Sequence, residues 1–332
     1  MKQINITKQE AGTSLIKVLN KYLKAAPDSF LYKMLRKKNI TLNGKKATGK
    51  EKIAEGDVIR IFFSDETYEK FAGNEKQIQK ENNSFLILCR LAEKKAYEKL
   101  PVVYEDSDIL VANKPKDLLS QKATDSDISA NELFLSYLIS KGELTQESFG
   151  VIKPSVANRL DRNTTGLLLF GKTMKGLQEL SKALKDRNLE KYYICIVKGR
   201  IDHPMEVEGY LIKDEKSNKV TITKEPQEGS FYIKTSYEPI SGNDQLTRLR
   251  VHLITGRSHQ IRAHLAYLGH PILGDNKYGD RSLNRTLKQN YGVDSQLLHA
   301  HEMIFDWGLH VFAPIPEIFD TIEGESHANL EL

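Results

Sequence analysis

The sequence predicts an α+β chain in two parts: a small, basic α/β module at the N-terminus and a larger domain that mixes helices with strands. Three observations point there. The 332 residues, 39% of them hydrophobic, suffice for one large core and a small accessory one. Segments with helical spacing and segments with two-residue alternation both recur along the chain. Charge is uneven: residues 1–64 carry 12 lysines and two arginines against five acids, a net +9, which leaves the remainder at about −4. A basic N-terminal part favours an acidic polymer or a membrane surface as its partner.

Taken in order, the chain opens with a helix from Thr13, where Leu15, Ile16, Leu19 and Leu23 recur at helical spacing before Pro27. Ser29 is a candidate cap for a second helix, with Leu31, Met34 and Leu35 on its apolar stripe and Lys33, Arg36 and Lys37 on another face. Asn43-Gly44, after the short run Ile40, Thr41, Leu42, signals a hairpin, and residues 57–63 read as a further strand. Residues 65–100, rich in Glu, Lys, Asn and Gln, read as a linker with one apolar island from Phe85 to Cys89. The larger domain then spans residues 101–325, so the expected division is 1–64, 65–100 and 101–325.

Within that domain, residues 102–115 read as strand, turn, strand, ended by Pro115. A helix over residues 131–139 is expected to bury Leu133, Phe134, Tyr137 and Leu138, and one over residues 175–191 places Leu177, Leu180 and Leu184 on one side. Residues 192–197 form a strand that is apolar on both faces, suiting a central position. Residues 246–254 alternate most clearly, with Leu249, Val251 and Leu253 on one face and Arg248, Arg250 and His252 on the other, free to meet phosphate. A turn then leads into a helix with Ser258 as candidate cap, and the tail at residues 298–318 carries Trp307, Phe312, Pro314 and Pro316 as expected packing residues.

The stretch with the most chemistry is residues 158–169, Asn-Arg-Leu-Asp-Arg-Asn-Thr-Thr-Gly-Leu-Leu-Leu. It sets Asp161 between Arg159 and Arg162, then a polar turn ending at Gly166, then an apolar strand. Guanidinium groups nearby favour the ionised carboxylate even where water is excluded, which suits a nucleophile or base. A surface turn with an ordinary ion pair is the structural alternative.

This stretch resembles the signature of the large RNA pseudouridine synthase family that modifies ribosomal RNA, His-Arg-Leu-Asp-x-x-Thr-Ser/Thr-Gly-Leu. By that resemblance Asp161 falls on the catalytic aspartate. Residues 253–275, Leu-Ile-Thr-Gly-Arg-Ser-His-Gln-Ile-Arg-Ala-His through Gly-His-Pro-Ile-Leu-Gly-Asp, are similar to the family's third motif, which places Arg262 on the arginine that pairs with the aspartate. Lys191-Tyr192-Tyr193 matches a Lys-x-Tyr run whose tyrosine, here Tyr193, lines the active site. Arg159, two residues before Asp161, is a candidate to help displace or replace the flipped nucleotide. Two departures stand out. Asn158 replaces the usual histidine and cannot become cationic, and the loop of residues 116–121 lacks the usual glycine and histidine after Lys114-Pro115. Residues 13–63 resemble the alpha-L type RNA-binding domain, without the arginine often found at the start of its first helix.

The resemblance implies a mixed, largely antiparallel sheet with flanking helices, and site-specific isomerisation of uridine to pseudouridine in structured RNA, large-subunit ribosomal RNA first and transfer RNA second. It implies no cofactor and no metal. That agrees with a sequence lacking a dinucleotide fingerprint, a phosphate-cradling Gly-rich loop and HExxH spacing around His259, His264 and His270. Beyond Asp161, Tyr193, Arg262 and Arg159, the expected RNA contacts are Lys33, Arg36, Lys37, Arg248, Arg250, Arg257 and His259. Cys89 and Cys195 show no pairing pattern, and no signal-peptide or membrane-spanning run is evident, so a soluble cytoplasmic monomer is expected. The alternatives are a non-catalytic RNA-binding or ribosome-assembly factor on the same fold, and a two-carboxylate glycosidase, which would release the base.

Overall fold

The computed structural model describes residues 1–72, 75–149, 154–214 and 219–326. The chain forms two compact units. The first contains Met1–Val111, Gln121–Asn158 and Leu169–Ser181; the second contains Ala112–Ser120, Arg159–Leu168 and the chain from Lys182 onward.

The N-terminal part of the first unit runs β1 (Lys2–Asn5), α1 (Leu15–Tyr22), α2 (Asp28–Arg36), β2 (Ile40–Leu42), β3 (Lys45–Lys46) and β4 (Val58–Ile61). Its sheet has the order β1-β4-β2-β3 with antiparallel neighbours. Leu15, Val18 and Leu19 of α1 and Leu31 and Leu35 of α2 join Ile40, Ile59 and Ile61 in one core. Asn43 and Gly44 both take positive φ, 51° and 72°, as a tight hairpin turn requires. Ser29 is not the cap of α2: Pro27 holds the N-cap position and Asp28 fills the first turn, where its carboxylate meets the positive end of the helix.

The stretch read as a linker forms α3 (Asp65–Ala72) and α4 (Glu75–Glu93), followed by a 3-10 turn at Ala96–Lys99. Glu, Lys and Gln are strong helix formers, so a polar composition there does not imply coil. Then come β5 (Val102–Glu105), β6 (Ile109–Lys114), α5 (Ala130–Ser140), α6 (Gln146–Phe149), β7 (Ser155–Val156), β8 (Thr165–Gly171) and α7 (Met174–Asp186). Ser129 and Glu132 close a reciprocal capping box at the start of α5. α7 stops short of the expected residue 191, because Arg187 turns to φ 59° and the chain enters a strand at Leu189.

From there the chain runs β9 (Leu189–Lys198), β10 (Met205–Asp214), β11 (Lys219–Thr223), β12 (Phe231–Gly242), β13 (Leu246–His252), α8 (Gln260–Tyr267), α9 (Arg281–Tyr291), β14 (Leu298–Phe305), β15 (His310–Phe312) and α10 (Ile318–Ser326). The large sheet has the order β11-β10-β12-β13-β9-β14-β8-β6-β5, with β15 on β14 and β7 on β8. Neighbours from β11 to β14 are antiparallel, whereas β14 and β8 run parallel through His299–Thr165 and Ala300–Gly166. The fold is thus the expected mixed, largely antiparallel one. β9 lies between β13 and β14, and its segment Tyr193–Val197 is buried. Trp307 and Phe312, expected to pack inside, are each about half exposed.

One rung of this sheet joins three strands. Tyr193 pairs with Ala300, and Ala300 pairs with Gly166, the last residue of the polar turn after Asp161.

Candidate active site

The Asp161 loop is held from below by main-chain hydrogen bonds. The hydroxyl of Ser120 donates to the carbonyl of Leu160 at 2.9 Å and accepts the amide of the same residue at 3.0 Å. Lys114, fully buried, directs its ammonium to three carbonyls, those of Pro115, Leu118 and Arg162, at 2.8 to 2.9 Å. Three acceptors use all three N–H groups. Burial pushes the Lys114 amine down to about 7, with the charges of Asp161 and Asp117 opposing the shift. On the far side of the turn Thr165 Oγ1 lies 2.7 Å from His299 Nδ1, and Gln296 donates to Thr164 Oγ1.

Gly166 closes the loop with φ 107°, and a Cβ there would lie 2.2 Å from the carbonyl oxygen of Ala300. Gly166→Ala should therefore cost about 3 kcal/mol or more through combined strain and overlap. Urea or thermal unfolding measures this; a loss within about 0.5 kcal/mol, the range of a neutral surface change, would show that the β8–β14 approach can relax.

Asp161 finds its cation across the fold rather than beside it in sequence. Arg262, on α8, donates Nη1 to Asp161 Oδ2 at 2.7 Å. Its other edge makes a paired contact with Asp275, Nε to Oδ2 at 2.7 Å and Nη2 to Oδ1 at 2.9 Å. The Asp275 side chain is 1% exposed, and its Oδ1 also accepts the amides of Lys277 and Tyr278. Burial works to raise the Asp275 pKa, but the Arg262 contacts and these amides outweigh it and hold it below the usual carboxylate range. Burial likewise opposes the Arg262 charge, and the two carboxylates reverse that, so the guanidinium is held firmly cationic. Arg262 is thus fixed from behind and presents one N–H to Asp161.

Residues 108–267 match the model of the RNA pseudouridylate synthase family. The ribosomal large subunit pseudouridine synthase C of Escherichia coli (strain K12) is 29% identical over 317 residues, covering 92% of this chain and 88% of that protein. The protein of the same name from Vibrio vulnificus (strain CMCP6) is also 29% identical, over 96% and 94%. The chain belongs to the RNA pseudouridine synthase family. It is an isomerase of RNA. Two solved structures share the fold: human RNA Pseudouridylate Synthase Domain Containing 4, with TM-score 0.56 and 19% identity over 75% of this chain and 99% of that one, and human RNA Pseudouridylate Synthase Domain Containing 1, with TM-score 0.51 and 20% identity over 70% and 96%.

Against this synthase geometry the remaining expectations sort clearly. Tyr193 is buried in the centre of β9, and burial together with the charge of Asp161 pushes its phenol well above the ordinary value. The hydroxyl stays protonated, which suits packing against a uracil ring and disfavours a phenolate base. Arg159 and Arg162 flank Asp161 in sequence but are exposed, and among the described residues neither pairs with it. The Asn158 departure has a structural account: its Oδ1 accepts the amide of Leu169 at 2.8 Å, a role that needs an acceptor and no charge.

Arg248 and Arg250 do not reach the catalytic side. Val251 pairs with Tyr193 and shares its face of the sheet, so residues 248, 250 and 252 point to the opposite face. There Arg248 pairs with Asp320 and Glu323, and Arg250 pairs with Glu302 while covering the ring of Tyr192 at 3.7 Å. Arg257 is exposed and lies over Phe231 at 4.4 Å. Ser258 is not the cap of α8; that position falls to His259, with φ 56°. His259 Nε2 stands 3.9 Å from Asp161 Oδ1. Lys33 and Arg36 on α2 and Lys37 at its C-cap are all exposed.

Sequence reading missed Lys114, Asp275 and Tyr278 as parts of the site. Lys114 and Asp275 each stood inside a quoted motif, and a charged residue in an apolar setting was the available signal. Among the described residues, no three His, Cys, Asp or Glu side chains are grouped so as to hold a metal, and no helix is long and apolar enough to cross a membrane.

Proposed function

We propose that this synthase isomerises specific uridines in large-subunit ribosomal RNA, with Asp161 as the reacting carboxylate. The observation that carries the proposal is the chain Asp275–Arg262–Asp161, which orients one partly exposed carboxylate oxygen pair at the end of a buried ion-pair ladder. The substrate class rests on near full-length similarity to large-subunit synthases. Asp161 engages the ribose or the base, or removes a ribose proton, and so permits the glycosidic bond to break. Tyr193 packs on the detached uracil, and Arg159 occupies the place the flipped nucleotide leaves. Two cysteines without a pairing pattern favour a reducing compartment, so the proposed setting is the cytoplasm, with the protein acting as a monomer.

Flipping the uridine costs a few kcal/mol, about what a small number of backbone contacts can offset. We assign those contacts to the basic N-terminal domain, including Lys33, Arg36 and Lys37, and to Arg257 near the site. The test of the substrate class is pseudouridine mapping in total RNA from cells with and without the gene. Loss of sites in large-subunit rRNA supports the proposal, and loss confined to transfer RNA overturns it.

The N-terminal role has its own prediction. In the triple alanine variant of Lys33, Arg36 and Lys37, RNA affinity falls across sequences, and the slope of log affinity against log salt flattens by just under about one unit per lost contact. Single-turnover rates at saturating RNA stay normal. An unchanged salt slope would make this helix face merely solvated.

A further inference from the structure

His259 occupies a backbone conformation that few side-chain-bearing residues adopt, φ 56° at the N-cap of α8. For a residue with a Cβ this conformation is strained, and such positions persist where the surroundings hold them. The His259 side chain is held by Tyr278. The Tyr278 hydroxyl accepts the amide of Val220 at 2.9 Å and lies 2.8 Å from His259 Nδ1. The Val220 amide hydrogen occupies one acceptor site on the phenol oxygen, and we assign the phenol's own hydrogen to Nδ1. Nδ1 is then the acceptor, and the neutral ring carries its hydrogen on Nε2.

That Nε2–H faces the reacting carboxylate without being consumed by it. It stands 3.9 Å from Asp161 Oδ1, beyond hydrogen-bond length, while Arg262 holds Oδ2. Five groups face the ring. Tyr278 is neutral; Asp161 and Asp275 favour a charged imidazole; Arg262 and Lys277 oppose it. Burial is the largest influence, and the net effect keeps the ring below its ordinary value. The side chain is 12% exposed, so a donor on Nε2 lies in a largely dehydrated setting beside the reacting centre.

We propose that His259 is a catalytic hydrogen-bond donor whose Nε2–H stabilises the negative charge that collects on uracil as the glycosidic bond breaks. The step balances without any co-reactant. The bond from ribose carbon 1′ to N1 breaks and its electron pair leaves with uracil, whose carbonyl oxygens share the charge. An electron pair from carbon 5 then forms the new bond to carbon 1′, the carbon 5 proton departs, and N1 regains a proton. His259 donates a hydrogen bond to a carbonyl oxygen throughout and transfers no proton. The inference rests on the assignment of Asp161 as the reacting carboxylate.

The test compares full-length wild type, His259→Ala and His259→Gln on a large-subunit rRNA transcript and on the same transcript containing 5-fluorouridine. Fluorine withdraws electrons from the ring, so the departing 5-fluorouracil anion needs less stabilisation. Loss of the N-linked nucleoside at the target is read by digestion and chromatography in single turnover, alongside RNA affinity. His259→Ala should slow the uridine substrate by on the order of 10²-fold, the effect typical of removing one such donor, with RNA affinity unchanged. The loss should be much smaller on 5-fluorouridine, and His259→Gln, which keeps an N–H donor, should recover part of the uridine rate. Equal loss on both substrates would show a structural role and overturn the proposal, as would no loss on either. Asp161→Asn on the same transcript separates the two possible failures: if it turns over like wild type, the Asp161 assignment falls and takes this one with it, whereas an inactive Asp161→Asn beside a His259→Ala that matches wild type overturns only the role of His259.

Discussion

Asp161→Asn should bind RNA with nearly wild-type affinity and yet form pseudouridine at least about 10⁴-fold more slowly, the scale seen when a reacting side chain is removed. The amide keeps the shape of the carboxylate and can still accept the Arg262 hydrogen bond, so the fold and the loop should survive. It lacks the negative charge and the free electron pair that the reaction draws on. Filter binding and single-turnover conversion, run on the same preparation, separate the two quantities. Substantial turnover would remove Asp161 from the chemistry. A parallel collapse of affinity would show that the residue orders the RNA-binding surface instead.

Arg262→Lys is the second large effect and tests geometry against charge. The guanidinium serves two carboxylates at once, through Nε and Nη2 to Asp275 and through Nη1 to Asp161. An ammonium on a shorter reach cannot supply both contacts with the same directions. We expect turnover to fall by about 10²-fold or more. Unfolding free energy should also fall, toward the 3–5 kcal/mol that breaking a buried pair costs, to about the extent that the buried Asp275 loses its partner. Circular dichroism at the assay temperature shows whether the variant is still folded. Near-normal turnover in a folded variant would mean that charge alone matters at this position.

The fold was readable wherever periodicity was strong. The alternation in residues 246–254 and the unbroken apolar run after Tyr192 identified β13 and β9, and the Asn-Gly pair identified the N-terminal hairpin. β10, β11 and β12 carried no motif and went unread, although Met205, Val207, Gly209 and Leu211 alternate with polar or charged neighbours along one of them. The pairing of Asp161 with Arg262 was legible because both sit in recognisable motifs. Asp275 and Lys114 sat in quoted motifs as well, but their roles depend also on partners in other segments, Arg262 for Asp275 and Arg162 for Lys114, and Tyr278 is defined by Val220 and His259. The faces of β13 were legible too, with Arg248 and Arg250 opposite Leu249 and Val251 as the alternation indicates. Alternation states which residues share a face of a strand, and it is silent on which face meets the substrate; the register with Tyr193 decides that.

The anchoring of Arg262 by Asp275 has a kinetic consequence. The carboxylate proposed to react, Asp161, is already oriented, by a cation that is itself immobilised, before any RNA arrives. Little of the enzyme's own rearrangement then remains to limit the rate, and the slow coordinate shifts to the nucleic acid: opening the helix and rotating one nucleotide out of its stack. Turnover should accordingly follow the mechanical softness of the RNA around the target. A mismatch or abasic site placed next to the uridine would accelerate the wild-type enzyme, and a stretch of strong stacking would slow it, with the carboxylate chemistry unaltered in either case.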